Sequence, residues 1–391
     1  MRFRVAMFPV VVVAALALTA AAAFGATIMV DSDGAATPSN CAGGAPGSAY
    51  LTIQGGVNNA APGDTVKVCG EPAHIYAGAT VATHSVKLVG VNNPVVQAAN
   101  TSSNAFTLNA DKVTVKGFEI QNSAAAIFTS QNHSGYQILH NNLHDNAIGI
   151  YLQSNGTFRT QIAHNNIHDQ NLALPGGGNG IDNETPASNV LITGNQFTNN
   201  DNEGILLNPQ TGADSGFIIS YNTFSQELGS DVAFLQTVNN SKVVHNTMTN
   251  TAADPTNGGS SVFIGANSSN DTVATNTIRN PNFDGVAIRD TAHDIAVSRN
   301  TITGAGNNGL DVSSTAAHAV TAVGNKIISS QNFGINFEAG TNGNNLTGNQ
   351  ATLSGGADNC NDLSTGTGTA GTANTWASNT SAPSHPVGIC T

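Results

Sequence analysis

One short text recurs through most of this chain: an Asn, any residue, an apolar residue, then a turn and a Gly-apolar stretch. It stands at Asn141, Asn165, Asn195, Asn222, Asn246, Asn276, Asn300, Asn325 and Asn349, in steps of 24, 30, 27, 24, 30, 24, 25 and 24 residues. A period in the twenties built from short alternating segments specifies a solenoid, in which each unit buries its apolar side only against its neighbours. Within a unit the alternation has period two, as in Gly309-Leu310-Asp311-Val312 and Gly149-Ile150-Tyr151-Leu152. A strand with one buried face requires that period, and no unit holds a helical stripe. Winding such strands into a right-handed coil pairs each with its equivalent one turn away, in parallel. The recurrent Asn is expected to point inward at a bend, forming a ladder and bonding turn backbone groups.

The units Gly194-Asn195-Gln196-Phe197 with Gly204-Ile205-Leu206-Leu207, and Arg299-Asn300-Thr301-Ile302 with Gly309-Leu310-Asp311-Val312, resemble parallel β-helix repeats of the pectin-lyase-like superfamily. The resemblance implies an all-β fold, a single-stranded right-handed parallel β-helix. It implies little about activity, because that fold carries lyases, hydrolases, epimerases and proteins with no known reaction. The stretch Tyr50-Leu51-Thr52-Ile53-Gln54 through Pro62-Gly63-Asp64-Thr65-Val66 is similar to the N-terminal cap of secreted β-helix proteins, NosD-like ones included. Thr27–Val30 is the expected first strand. Ile53, Val57 and Ala60 at helical spacing predict a short amphipathic helix within Ser48 to Ala61, stopped by Pro62-Gly63 and covering the open end of the coil.

Residues 1–25 carry Arg2 and Arg4, an apolar run and small residues, the pattern of a bacterial-style secretory signal peptide. The run is too short for a good membrane span. An N-terminal cap is expected over 26–75, coils over 76–355 and a C-terminal cap over 356–391. Without the leader, 10 Lys and Arg (12 minus 2) face 24 Asp and Glu, a net charge of −14. That balance argues against nucleic acid, and against anionic polymers unless calcium, the one cofactor left open, bridges the charges.

Cys41 and Cys69 lie near one end, Cys360 and Cys390 near the other. Ten or more coils at ~4.8 Å separate the ends by roughly 50 Å. A disulfide spans only about 4.4–6.8 Å between Cα atoms, so 41–69 and 360–390 are the expected pairs. Export permits both. The lone Trp376 is expected to plug the last coil.

Three constellations are candidates for chemistry. His140-Asn141-Asn142-Leu143-His144-Asp145 and His164-Asn165-Asn166-Ile167-His168-Asp169 are one coil apart. Stacked, their four His and two Asp could bind a transition metal or act as acid and base, although polar filling of exposed turns is the plainer reading. The coils starting at Asn165 and Asn246 each carry about six extra residues in the same turn, placing loops Asn171–Gly178 and Ala252–Gly259 on one side. Between them an outward column of Asp182 and Glu184, Leu206 and Asn208, Ala233 and Leu235, then Phe263 is expected. Asp182 and Glu184 suit glycoside hydrolysis or calcium binding. The resemblance to polysaccharide lyases, which use an Arg or Lys base beside acidic calcium ligands, points to Arg289 with Asp284, Asp290 and Asp311. A plain inter-coil ion pair, worth about 0–1 kcal/mol if exposed, is simpler. The sequence is therefore read as an exported monomer acting on an extracellular or envelope polysaccharide along its strand face, enzyme or not. The alternative is a non-enzymatic, adhesin-like envelope scaffold.

Overall fold

The computed structural model describes residues 25–41, 44–252, 259–313, 317–380 and 382–391. The expected signal peptide, apart from Gly25, and most of the loop Ala252–Gly259 lie outside them.

Among the described residues three parallel sheets of 14, 12 and 13 strands run along the chain. Each coil visits them in turn. In one coil Thr160–Ala163 lies in the first sheet, Asn166–His168 in the second and Asn179–Asn183 in the third. Each strand pairs in parallel with its counterpart one coil on: Ile162 with Ile192, Ile167 with Phe197, Ile181 with Ile205. The chain is thus a right-handed parallel β-helix.

Alternation decides what the coils bury. Inward columns stack like on like, Ile138, Ile162, Ile192 and Ile219 in the first sheet and Phe197 on Phe224 in the second. All six are fully buried, each worth about 1.5–3 kcal/mol of transfer free energy. The two Phe rings stack at 4.7 Å.

The Asn ladder is present at the bend between the first and second sheets. Asn141 Nδ2 donates to Asn165 Oδ1 at 3.0 Å, and the same bond recurs coil by coil to Asn349 and on to Asn379. Each oxygen also accepts the backbone N–H of the preceding Asn, and each Nδ2 also reaches a first-sheet carbonyl, as Asn165 does to Ile138 O at 2.9 Å. Every buried amide atom is therefore satisfied. The residue before each ladder Asn takes a left-handed conformation, φ 64° at Gly194, 63° at Gly324 and 63° at Gly348. Glycine adopts it without strain. His140, His164 and Arg299 adopt it with a side chain, at φ 53°, 56° and 53°.

Thr27–Val30 is the first strand, as expected. The helix is shorter than the sequence pattern, Ile53–Asn58. The residues before it serve the sheet instead: Tyr50 N–H donates to Met29 O and Asp31 N–H to Tyr50 O, both at 2.8 Å. Thr52 then caps the helix, its Oγ1 accepting Gly55 N–H at 3.0 Å. Ile53 and Val57 pack into the core beside Val30 and Val66, closing the end of the solenoid. Gly56 is required there, because a Cβ would lie 2.7 Å from Val30 Cγ2.

Disulfides join Cys41 to Cys69 and Cys360 to Cys390, with Cα atoms 5.6 and 6.2 Å apart. Strands continue past residue 355, through Cys360–Asp362 and Thr375–Ala377 to Ser384–His385. Trp376 follows Leu346 in the inward column of the first sheet. It is buried, edge-on to Phe337 at 5.8 Å, and its indole N–H donates to Asp362 Oδ2 at 2.8 Å. Among the described residues no helix is long and apolar enough to cross a membrane.

Candidate functional site

The outward column of the third sheet runs in register through Phe128, Tyr151, Asp182, Leu206, Ala233, Phe263, Ala287, Asp311, Asn336 and Asn361. These side chains leave the core, yet Asp182 is 2%, Ala233 3% and Asp311 1% exposed. The third sheet is therefore the floor of a groove. Turns rise on both sides of it: near the C-terminal end, Asn307 and Asn308 from one edge and Glu338 and Ala339 from the other frame a cleft of about 560 Å³ over Asn336 and Asn361. One wall owes its height to sequence. Residues 169–178 link the second-sheet strand Asn166–His168 to the third-sheet strand Asn179–Asn183, and include the expected insertion.

Asp182 lies near one end of the floor. Its Oδ2 accepts from Asn179 Nδ2 at 3.2 Å, and its Oδ1 is out of solvent with no hydrogen-bond partner. Burial, then the charges of Glu184 and Glu203, push its carboxyl up to about 7. The strand ends at Asn183, so Glu184 stands on the following turn rather than on the strand. Its carboxylate still meets the floor, because Oε2 accepts the hydroxyl of Tyr151 at 2.8 Å. Tyr151 stacks on Phe128 at 5.4 Å, and burial followed by Glu184 pushes its phenol upward. Tyr151, Asn179 and Glu203 were not singled out from sequence. Tyr151 stands ten residues past its ladder Asn and Asp182 seventeen past its own, a shift of seven in a coil only six residues longer, so aligning coils on the ladder Asn would have set Leu152 beneath Asp182 instead.

The expected neighbours of this pair divide. Leu206 and Phe263 belong to the column, whereas Leu235 is an exposed side chain, 42% accessible. Asn208 lies beyond its strand Ile205–Leu207, with Oδ1 shielded and unpartnered.

Farther along the same floor, Arg289 Nη2 meets Asp284 Oδ2 at 2.8 Å and Nη1 meets Asp311 Oδ2 at 2.5 Å. The inter-coil ion pair weighed from sequence is present, as one guanidinium between two buried carboxylates. The pairing is diagonal: Asp311 lies over Ala287, and Arg289 under Ser313. Asp290 is exposed on the next turn and takes no part. Burial, then Asp311, pushes the Asp284 carboxyl upward, with Arg289 opposing. Asn308 and Asn336 donate to Asp311 Oδ1 at 2.8 and 2.6 Å, and Asn361 donates to Asn336 Oδ1 at 2.7 Å.

The four His stack but do not converge. His140 lies over His164 at the Asn bend, and His144 over His168 on the second sheet, each pair 5.1 Å apart. His144 Nδ1 is 2.6 Å from Asp145 and its Nε2 3.3 Å from Glu119; His168 Nδ1 is 2.7 Å from Asp169 and its Nε2 3.1 Å from Asn142. Those nitrogens are committed to local partners. Partial burial, then Lys116 and His164, hold the His140 ring below its ordinary value. A polar cleft of about 460 Å³ lies beside His140, His164, Asn142 and Asn166. It belongs to the Asn bend and second sheet, not to the groove of the third.

No curated protein matches this sequence. Among solved structures, the Dettilon tailspike protein superposes with a TM-score of 0.63 at 13% identity, over 84% of this chain and 68% of that one. The catalytic unit of a thermostable GH87 alpha-1,3-glucanase from Streptomyces thermodiastaticus gives 0.55 at 13% identity, over 84% of this chain and 66% of that one. At that identity the likeness is one of fold. The family model "Right handed beta helix region" matches residues 179–351. The model "Periplasmic copper-binding protein (NosD)" matches residues 57–263, more than half of the 391. By that match, which takes in the Asn ladder from Asn141 to Asn246 and the carboxylate end of the groove, this chain belongs to the NosD family.

Proposed function

We propose that this chain is an exported protein that holds a polysaccharide in the groove of its third sheet, where Asp182 and Glu184 hydrolyse it. The observation that carries this reading is a buried Asp182 with an unpartnered oxygen, on the floor beside a Glu184 positioned by Tyr151. Glycoside hydrolysis needs two carboxyl groups in different states, one donating a proton to the leaving oxygen and one acting as base or nucleophile. Asp182 is the donor and Glu184 the second group. Leu206, Ala233 and Phe263 supply an apolar track on which sugar faces can lie. The tailspike protein and the alpha-1,3-glucanase have the same fold.

The lyase assignment has less support. Arg289 is held as a cation by two carboxylates and would have to break both ion pairs to serve as a base. The family description names copper, and the residues present do not fit that ion. All four Cys are in disulfides, and Met29 and Met248 are buried. Among the described residues no His belongs to a group of three or more converging His, Cys, Asp or Glu donors. The two disulfides and the leader-like N-terminus support an extracytoplasmic setting.

A panel of neutral and anionic polysaccharides tests the proposal by release of reducing ends. Turnover lost in Asp182→Asn and in Glu184→Gln supports it. Binding without turnover reduces the groove to a glycan-binding surface. No binding leaves the scaffold reading.

A further inference from the structure

The N-terminal cap holds a second cluster, far from the groove. The strand Thr27–Val30 runs into Asp31-Ser32-Asp33-Gly34, a turn closed by Gly34 N–H to Asp31 O at 3.1 Å. The Cys41–Cys69 disulfide fastens the far end of this loop to the strand Thr65–Cys69. Glu71 follows two residues after that Cys. One oxygen each of Asp31, Asp33 and Glu71 lies within 4.8 Å of the other two. Among the described residues no Lys, Arg or His is within ion-pair distance of any of them. Three like charges so placed repel one another, and the fold still imposes the arrangement with a disulfide and a closed turn.

A second observation shows that the cluster lacks a partner. Ser32 Oγ donates to Glu71 Oε2, and Asp33 Oδ1 accepts Ala35 N–H at 2.8 Å. Asp31 is 1% exposed, and its Oδ1 has neither solvent nor any hydrogen-bond donor. A buried carboxylate oxygen in that position wants a cation.

We propose that Asp31, Asp33 and Glu71 form a calcium site that locks the N-terminal cap. Three carboxylates, with no nitrogen or sulfur donor, select a hard cation over a transition metal. Calcium takes six to eight oxygen ligands and accepts several protein carboxylates, whereas magnesium keeps most of its waters and usually binds through one or two. The bound ion would tie the loop to the segment after Cys69, sealing the cap that the disulfide already braces.

The test uses the purified chain with disulfides intact, stripped with a chelator and titrated with calcium chloride by calorimetry. One ion per chain is expected, with a Kd at or below the 10⁻⁴–10⁻³ M typical (roughly) of extracellular modules, and Tm should rise with calcium at constant ionic strength. Asp33→Asn, at an exposed position, and Glu71→Gln should each weaken binding at least about tenfold. In chelator both should match or exceed the wild-type Tm, because a repelling charge is gone. Asp182→Asn should bind calcium normally, which keeps this site distinct from the groove. The proposal is overturned by no saturable uptake in the wild type up to about 10 mM, by unchanged binding in both variants, or by an equal Tm rise in all of them.

Discussion

Asn325 Nδ2 donates to Asn349 Oδ1 at 2.9 Å, and the same oxygen accepts the Asn325 backbone N–H at 3.0 Å. One amide oxygen thus holds two donors from the coil before it, while Asn325 Nδ2 also reaches Val297 O at 2.8 Å. Asn300 does the same for Asn276 while its Nδ2 reaches Val273 O at 2.9 Å. Asn300→Ala would strand two donors and one acceptor out of solvent, at a cost of about 2–4 kcal/mol. Asn300→Asp would keep the acceptor and lose both donations. Chemical denaturation should rank wild type above Asp and Ala alike, and equal stability would show that the ladder is not a structural necessity.

Acidic side chains at the other bends predict a pH dependence. Asp271 Oδ1 accepts Ser241 N–H at 2.7 Å, and burial pushes its carboxyl up to about 8. A carboxyl raised above its unfolded value near 3.8 keeps its proton longer when folded, so the folded state binds more protons between the two values. Stability therefore falls as pH rises from about 4 to 8, by at most ~1.4 kcal/mol per pH unit for each such group. Asp214, also raised to about 8, acts in the same direction. Asn344 occupies the Asp271 position in a later coil, its Oδ1 accepting Val320 N–H at 2.8 Å, so an amide fits there. Asp271→Asn should leave Tm near wild type at pH 4 and raise it at pH 9. A wild-type Tm that climbs between pH 5 and 9 would contradict the assignment.

The bend before each ladder Asn offers a backbone test. Gly324 sits there at φ 63° and Arg299, one coil earlier, at 53°. Gly324→Ala should cost about 1 kcal/mol and Arg299→Gly should recover up to about that much, measured by denaturant midpoint. The reverse order would mean that side-chain packing at this corner outweighs backbone strain.

Coil spacing was legible because period two and a fixed Asn act locally and repeat, and the disulfide partners follow from the length of the stack. The helix boundary was not, since Tyr50 and Asp31 are taken by sheet hydrogen bonds that no spacing announces. The groove was half legible. Asp182 and Glu184 stand out as neighbours in sequence, but Tyr151, 31 residues away, joins them only through a coil lengthened by an insertion. Burial was the hidden quantity. Outward alternation normally means solvent, yet Asp182 and Asp311 are buried, and the inter-coil ion pair at Arg289 is enclosed. Glu71 could not be joined to Asp31 and Asp33 without knowing where the first disulfide sets the loop.

The Tyr151–Glu184 bond separates chemistry from binding at the carboxylate pair. If Asp182 is the proton donor, its value of about 7 sets the alkaline limb of the rate profile. Asp182→Asn removes that limb together with turnover and leaves the glycan on the track. Tyr151→Phe keeps both carboxyl groups, but Glu184 loses the hydroxyl 2.8 Å away, a bond to a charged acceptor worth about 1.5–3 kcal/mol. The Glu184 carboxylate would then be held less firmly, so kcat should drop by about 10–100-fold with KM little changed. An unchanged kcat in Tyr151→Phe would mean that the hydroxyl only fills space, and Glu184 would lose its claim as the second carboxylate.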